Sequence, residues 1–207
     1  MADGPIDIAG AGRPHPHETV SGDAWRIDWH QHHCRITVVD GLGHGPAAAE
    51  AAQRALSSLA ARPELGPVEA VYACHEALRS TRGAALTVVR IDTRAMRLSH
   101  AGAGNVDGRI WNGRRDQRLS PQRGIVGNVL PRLVVAEFDL ADEWILIIHT
   151  DGISSRFATE TILGEQPVTP NDIAQSLLER WSRPMDDATV VVARQSRASV
   201  PNLIRFK

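Results

Sequence analysis

The sequence has little that would tie it to an oxidising compartment, to nucleic acid or to a bilayer. Only two cysteines occur in 207 residues, Cys34 and Cys74, too few for a disulfide framework. Buried, reduced thiols are the expectation for both. The formal net charge is −1, so no excess of basic residues is available to follow a phosphate backbone, and nucleic acid is not an expected partner. No apolar run reaches the roughly 18 residues that a membrane helix needs. The first residues, MADGPIDIAGAGRP, lack the basic stretch and apolar core of a secretory signal. A soluble, cytoplasmic chain is expected. What is present is ordinary for a globular domain: 43% hydrophobic and 23% charged residues, in a length that suits one domain.

The pattern along the chain is blocked. Residues 1–20 are rich in proline and glycine and read as a loose lead-in. AWRIDWH (24–30) alternates, with Trp25, Ile27 and Trp29 on one face, and CRITVV (34–39) is β-branched; both predict strands. A helix is predicted from Pro46 to about Arg62, with Ala48, Ala52, Ala55, Leu56 and Leu59 on its apolar side, and a second from Val68 to Ser80. ALTVVRID (85–92), MRLSHAG (96–102) and GRIWN (108–112) follow as strands at hairpin spacing, then RLVVAEFDL (132–140) and EWILIIHT (143–150) as another pair. Thr169 caps a third helix, with Pro170 at its start and Asp172 three residues after the cap. Its apolar face is Ile173, Leu177 and Trp181. ATVVVARQ (188–195) is a last strong strand, and 196–207 is a tail or an edge strand. Strands in blocks argue for an α+β domain with mainly antiparallel sheets.

The stretch VVDGLGHGPAAAE (38–50) invites a nucleotide reading. Gly43, Gly45 and Ala48 satisfy the dinucleotide fingerprint between a strand and a helix. That site also needs a second parallel strand ending in an acid about 20 residues on, and LAARPELGPVEA offers none. No Gly-Lys-Ser/Thr follows, so a P-loop fails too.

The acids carry more information. Asp40 and Asp151 each end a hydrophobic strand; Asp23 and the pair Asp186–Asp187 each precede one. In antiparallel sheets the end of one strand lies beside the start of the next, so these carboxylates can converge on one edge. Asp-Gly pairs also make turns unaided. Four carboxylate positions at matching strand mouths favour a site for hard divalent ions, Mg²⁺ or Mn²⁺, which take such oxygen ligands. Two such ions would clamp a phosphoryl group and acidify a water.

At these residues the chain resembles the metal-dependent protein phosphatases (the PPM superfamily). The nearer likeness is to the bacterial branch of the sporulation stage II phosphatase and the stressosome-resetting phosphoserine phosphatase. The matching segments are SGDAW (21–25), VVDGLGHG (38–45), RGAALTVVRID (82–92), HAGAGN (100–105), GIVG (124–127), LIIHTDGI (146–153) and DDATVVVAR (186–194). They define a phosphatase domain over 21–195. The resemblance implies a four-layer α-β-β-α sandwich of two mainly antiparallel sheets flanked by helices. It implies two metal ions, Mn²⁺ or Mg²⁺, with Asp40 bridging both and the Gly41 carbonyl on one. Asp151 and Asp186 would hold the other, Asp23 would complete the cluster, and Asp187 is the alternative to Asp186. The nucleophile would be a bridging hydroxide. Many relatives carry acids where this chain has Asn105 and Ser155, which puts a third metal in doubt. The implied substrates are phosphorylated bacterial regulators of the partner-switching type, such as stressosome scaffold or anti-sigma-antagonist domains, and a stand-alone catalytic unit is expected.

Other residues are weighed separately. His44, inside the Asp40 turn, is either a proton donor to the leaving oxygen or a turn-shaping residue. His30, His32 and His33 form HQHH; His30 and His32 would share a face able to bind a transition metal, against the plainer reading of turn histidines. GAGN (102–105) reads as a hairpin or bulge, and Thr150 either orients a carboxylate or ends a strand. The rival to an enzyme is a catalytically weak regulatory module of the same fold.

Overall fold

The computed structural model describes residues 6–112, 115–140, 143–159 and 169–196. The elements, in chain order, are β1 (Ile6–Arg13), β2 (Asp23–His30), β3 (His33–Gly41), α1 (Pro46–Leu59), α2 (Pro67–Leu78), β4 (Ala84–Asp92), β5 (Arg97–Ala103), β6 (Asp107–Trp111), β7 (Asp116–Leu119), β8 (Ala136–Asp139), β9 (Ile145–His149), α3 (Pro170–Trp181) and β10 (Ala188–Gln195). Two five-stranded sheets result, ordered β1-β10-β9-β6-β7 and β2-β3-β4-β5-β8. Every strand pair in them is antiparallel.

Period-2 alternation explains the layers. In β3, Ile36 and Val38 face the other sheet, where they meet Leu146, Ile148 and Val191, while Val39 faces the helices. In β10, Val191 and Ala193 enter the same central core, and Val190 and Val192 face α3. Strands buried on both faces read as continuous apolar runs, which is why VVV and ILII carry so strong a signal. Helices α1 and α2 pack on the outside of the β3 sheet through Ala51, Ala52, Ala55, Leu59, Ala70, Val71 and Cys74. Helix α3 covers the other sheet with Ile173, Ala174 and Leu177. The architecture is the expected α-β-β-α sandwich. Thr169 closes a capping box with Asp172, as its spacing predicts. Both cysteines are free and fully buried, and burial pushes their thiols up, to about 12 for Cys34 and about 11 for Cys74.

Four expectations fail locally, each for a physical reason. Residues 6–13, read as part of a loose lead-in, form β1 along the edge of β10. Its glycines are steric necessities: a Cβ on Gly10 would lie 2.6 Å from the Trp25 ring, and one on Gly12 2.8 Å from Thr189 Oγ1. The strand expected over 132–140 shrinks to Ala136–Asp139. Before it, the Gln122 side chain supplies the ladder bonds, donating to the Arg132 carbonyl at 2.9 Å and accepting from the Val134 amide at 2.8 Å. Strands β8 and β9 do not pair with each other, since β8 closes one sheet and β9 lies inside the other. GAGN is no hairpin either: it carries the chain from β5 in one sheet to β6 in the other, turning at Gly104, whose φ is +105°. The tail expected over 196–207 lies, beyond Ser196, outside the described residues.

Candidate metal and active site

The acid positions converge through register. Asp23 opens β2 and is the direct cross-strand partner of Asp40, near the end of β3. In the other sheet β9 runs into Asp151 and Asp186–Asp187 runs into β10, and these two strands are antiparallel neighbours. Thr150 joins the two halves. Its hydroxyl donates to Asp23 Oδ2 at 2.7 Å and accepts from the Thr189 amide at 3.0 Å. Of the two readings open for Thr150, the structure takes the orienting one.

Backbone crowding makes this convergence possible. A Cβ on Gly41 would sit 2.1 Å from the Ala48 carbonyl oxygen, and one on Gly152 1.8 Å from the Asp187 carbonyl oxygen. Only glycine lets α1 approach the end of β3, and the Asp151 turn approach β10, this closely. Gly43 and Gly45 turn the chain from strand to helix at φ of +87° and +74°, in the left-handed region that other residues avoid.

The electrostatics follow. Burial, then repulsion from Asp23, Asp151, Asp186 and Asp187, pushes Asp40 up to about 8. Burial also lifts Asp23 to about 7; Thr150 opposes the shift, and the charge of Asp187 adds to it. Asp186 is raised as well, first by burial and then by Asp151 and Asp187. Asp187 is buried, with Oδ1 accepting the His15 amide at 2.8 Å and Oδ2 without a hydrogen-bond partner. A buried, unsatisfied carboxylate oxygen is costly. Mutually repelling oxygen donors with one orphaned acceptor fit hard divalent ions, which prefer oxygen and keep several waters. Among the described residues, the trio of His, Cys, Asp or Glu donors within 4.8 Å of one another is His32, His33 and Asp92, at the opposite end of the β2–β3 ladder.

Several contacts around the cluster escaped the sequence reading. Asn105 Nδ2 donates to Asp151 Oδ2 at 2.5 Å, so this amide holds a carboxylate in place. Segment 14–18 lies beside the cluster. The His15 ring stacks on His44 with centroids 4.5 Å apart, and Glu18 Oε1 lies 2.7 Å from His44 Nδ1. The exposed Arg82 places Nη1 3.1 Å from where a Gly43 Cβ would be. Pro14-His15-Pro16-His17-Glu18 carries no periodicity, and only the fold reveals its place.

A family profile described as stage II sporulation protein E (SpoIIE) matches residues 30–196. The chain belongs to that family, within the bacterial branch of the metal-dependent protein phosphatases. No curated protein sequence matches it. Among solved structures, one from work on the bacterial stressosome as a modular system adapted to control secondary messenger signalling is 29% identical. It superposes with a TM-score of 0.86, over 91% of this chain and 99% of that one. RsbX in complex with magnesium is 18% identical, with a TM-score of 0.81 over 92% of this chain and 96% of its own. The PP2C phosphatase domain of SpoIIE from Bacillus subtilis, solved with a fragment of its regulatory domain, is 20% identical, with a TM-score of 0.73 over 91% and 63%. The last two show the fold. No helix among the described residues is long and apolar enough to cross a membrane.

Proposed function

We propose that this SpoIIE-family chain is a metal-dependent protein serine/threonine phosphatase acting on phosphorylated regulators of bacterial partner-switching systems. The observation that carries the reading is the convergence of Asp23, Asp40, Asp151 and Asp186 on one edge of the sandwich, with Asp40 lifted to about 8. Asp40, which feels the charge of all the other acids, would be the central metal ligand, with the Gly41 carbonyl beside it. Asp151 and Asp186 would hold a second ion, with Asp187 as the alternative to Asp186. When bound, Mg²⁺ or Mn²⁺ supplies charge neutralisation for the phosphoryl group and an acidified water for in-line attack.

The chain's own residues do the rest. Thr150 fixes the Asp23 carboxylate, and Asn105 fixes that of Asp151. Arg82, at the rim beside Gly43, offers a planar cation suited to phosphate oxygens. His44 is exposed at the mouth, and Glu18 at its Nδ1 orients the ring. With Nδ1 engaged by Glu18, Nε2 is the nitrogen that would protonate the leaving seryl oxygen. The substrate class is supported by the 29%-identical structure from work on the bacterial stressosome, which matches 91% of this chain.

The test is hydrolysis of p-nitrophenyl phosphate and of a phosphoserine-bearing partner-switching protein, with Mn²⁺ or Mg²⁺ and with chelator. Metal-dependent turnover that Asp40→Asn abolishes while the fold persists is the expected result. Binding of the partner protein without turnover under any metal would replace the enzyme with a regulatory binding module.

A further inference from the structure

At the far end of the ladder from Asp40, three donor atoms from two turns meet. The sequence reading paired His30 with His32. The structure instead brings His32, in the β2–β3 turn, together with His33 and with Asp92 at the end of β4. His33 and Asp92 are direct cross-strand partners. Both imidazole Nε2 atoms face one carboxylate oxygen, Asp92 Oδ2, at 3.6 Å from His32 and 3.4 Å from His33. All three donors lie within 4.8 Å of one another.

These separations are too long for hydrogen bonds, which close at 2.7–3.2 Å. They match the edge of a coordination tetrahedron. With metal–nitrogen and metal–oxygen bonds near 2.0–2.1 Å, neighbouring ligands stand about 3.3 Å apart.

The supporting shell is built. Asp92 Oδ1 accepts the amides of Arg94 and Ala95 at 2.9 and 2.8 Å, leaving Oδ2 aimed at the histidines. The His32 carbonyl is clamped by the Thr93 amide at 3.0 Å and its hydroxyl at 2.9 Å, which locks the two turns together. Outer partners of this kind fix the orientation of ligands. All three side chains keep about a fifth to a quarter of their surface exposed, so an ion and a water can reach them.

We propose that His32, His33 and Asp92 form a second metal site, selective for a borderline transition ion of the zinc class, with water in the fourth position. Two imidazoles and one carboxylate suit zinc, whereas the all-oxygen acid cluster suits magnesium and manganese. The site staples the β2–β3 turn to the β4–β5 turn. Arg90 lies nearby on β4, and its charge holds the affinity below that of closed structural zinc sites.

The experiment uses the full chain, stripped with chelator, and titrates Zn²⁺ against a chromophoric chelator. Asp40→Asn is the background that disables the acid cluster. One zinc equivalent should survive in Asp40→Asn, and its affinity should fall at least about 10-fold on adding His33→Ala or Asp92→Asn. Unchanged zinc affinity in those variants would overturn the proposal, as would loss of the equivalent with Asp40→Asn alone. Should either variant misfold, nitrogen NMR of the wild-type imidazoles decides: zinc must move the Nε2 resonances of both His32 and His33, and no movement refutes the site.

Discussion

The β2–β3 ladder ends in two different chemistries. At one end Asp23 faces Asp40, and at the other His30 faces His33. From His33 to Asp40 the strand rises roughly 23 Å at about 3.3 Å per residue, so the two ends act independently. At the acid end, glycines let backbones close in until carboxylates repel one another. At the histidine end a tight turn gathers donors without crowding. One pair of strands thus offers a hard oxygen-rich edge and a nitrogen-rich edge, and the ladder's register sets both.

The sharpest way to break the contrast is to empty one end of its central charge. Asp40→Asn should lower phosphatase turnover by at least about 100-fold, the scale of losing one preorganised electrostatic group at a reacting phosphoryl. The thermal midpoint in chelator should hold or rise, because the substitution removes a repelled carboxylate. A His33→Ala chain should keep its turnover with Mn²⁺. Equal loss in both would mean that the ends are coupled.

Acidity separates the ends next. In unfolded chain Asp23 and Asp40 lose their protons near 3.8; in the folded chain they hold them to about 7 and about 8. Between pH 4 and pH 8 the folded state therefore binds more protons, and stability falls as pH rises. Denaturant melts in chelator should be less stable at pH 8 than at pH 5, and Mg²⁺ should narrow the gap. A flat profile in chelator would show that burial and mutual repulsion do not hold these protons on.

Gly41→Ala tests the crowding itself. Its Cβ would meet the Ala48 carbonyl oxygen at 2.1 Å, so α1 must shift, at a cost of about 3 kcal/mol, the upper range of over-packing. Thr150→Val keeps the shape but removes the Thr150 link between the sheets, taking from Asp23 its 2.7 Å hydroxyl donor. A loss of about 1–3 kcal/mol is expected, read by urea titration, together with weaker Mn²⁺ activation.

Much of this was legible in the sequence where burial is two-sided or a cap is local. The β10 run and the Thr169–Asp172 box emerge at the expected positions, because each signal is complete within a few residues. Antiparallel logic also placed the acids, since Asp23 and Asp40 sit at complementary strand ends. What stayed hidden depends on distant partners. β1 reads as a glycine-rich leader because its small residues answer Trp25 and Thr189, far along the chain. β7, Asp-Gln-Arg-Leu, is a short edge strand whose polarity matches that of a loop. The Glu18–His44 contact and the meeting of Asp92 with His33 join segments that no local pattern connects.

The smallest expected effect lies in the turn that builds the histidine end. Gln31 holds φ at +54°, a left-handed conformation that costs a side-chain-bearing residue about 1–2 kcal/mol. Gln31→Gly removes that cost but adds about 0.5–1 kcal/mol of unfolded-state freedom, for a net gain of about 0.5 kcal/mol. The gain should appear in chelator as a slightly higher denaturation midpoint with unchanged turnover, because the acid end is a strand's length away. With zinc present, the increment should persist on top of the zinc-induced rise if the turn already has its metal-binding shape. An increment that vanishes only when zinc is added would mean that the ion, not the ladder, gives His32 and His33 their convergence.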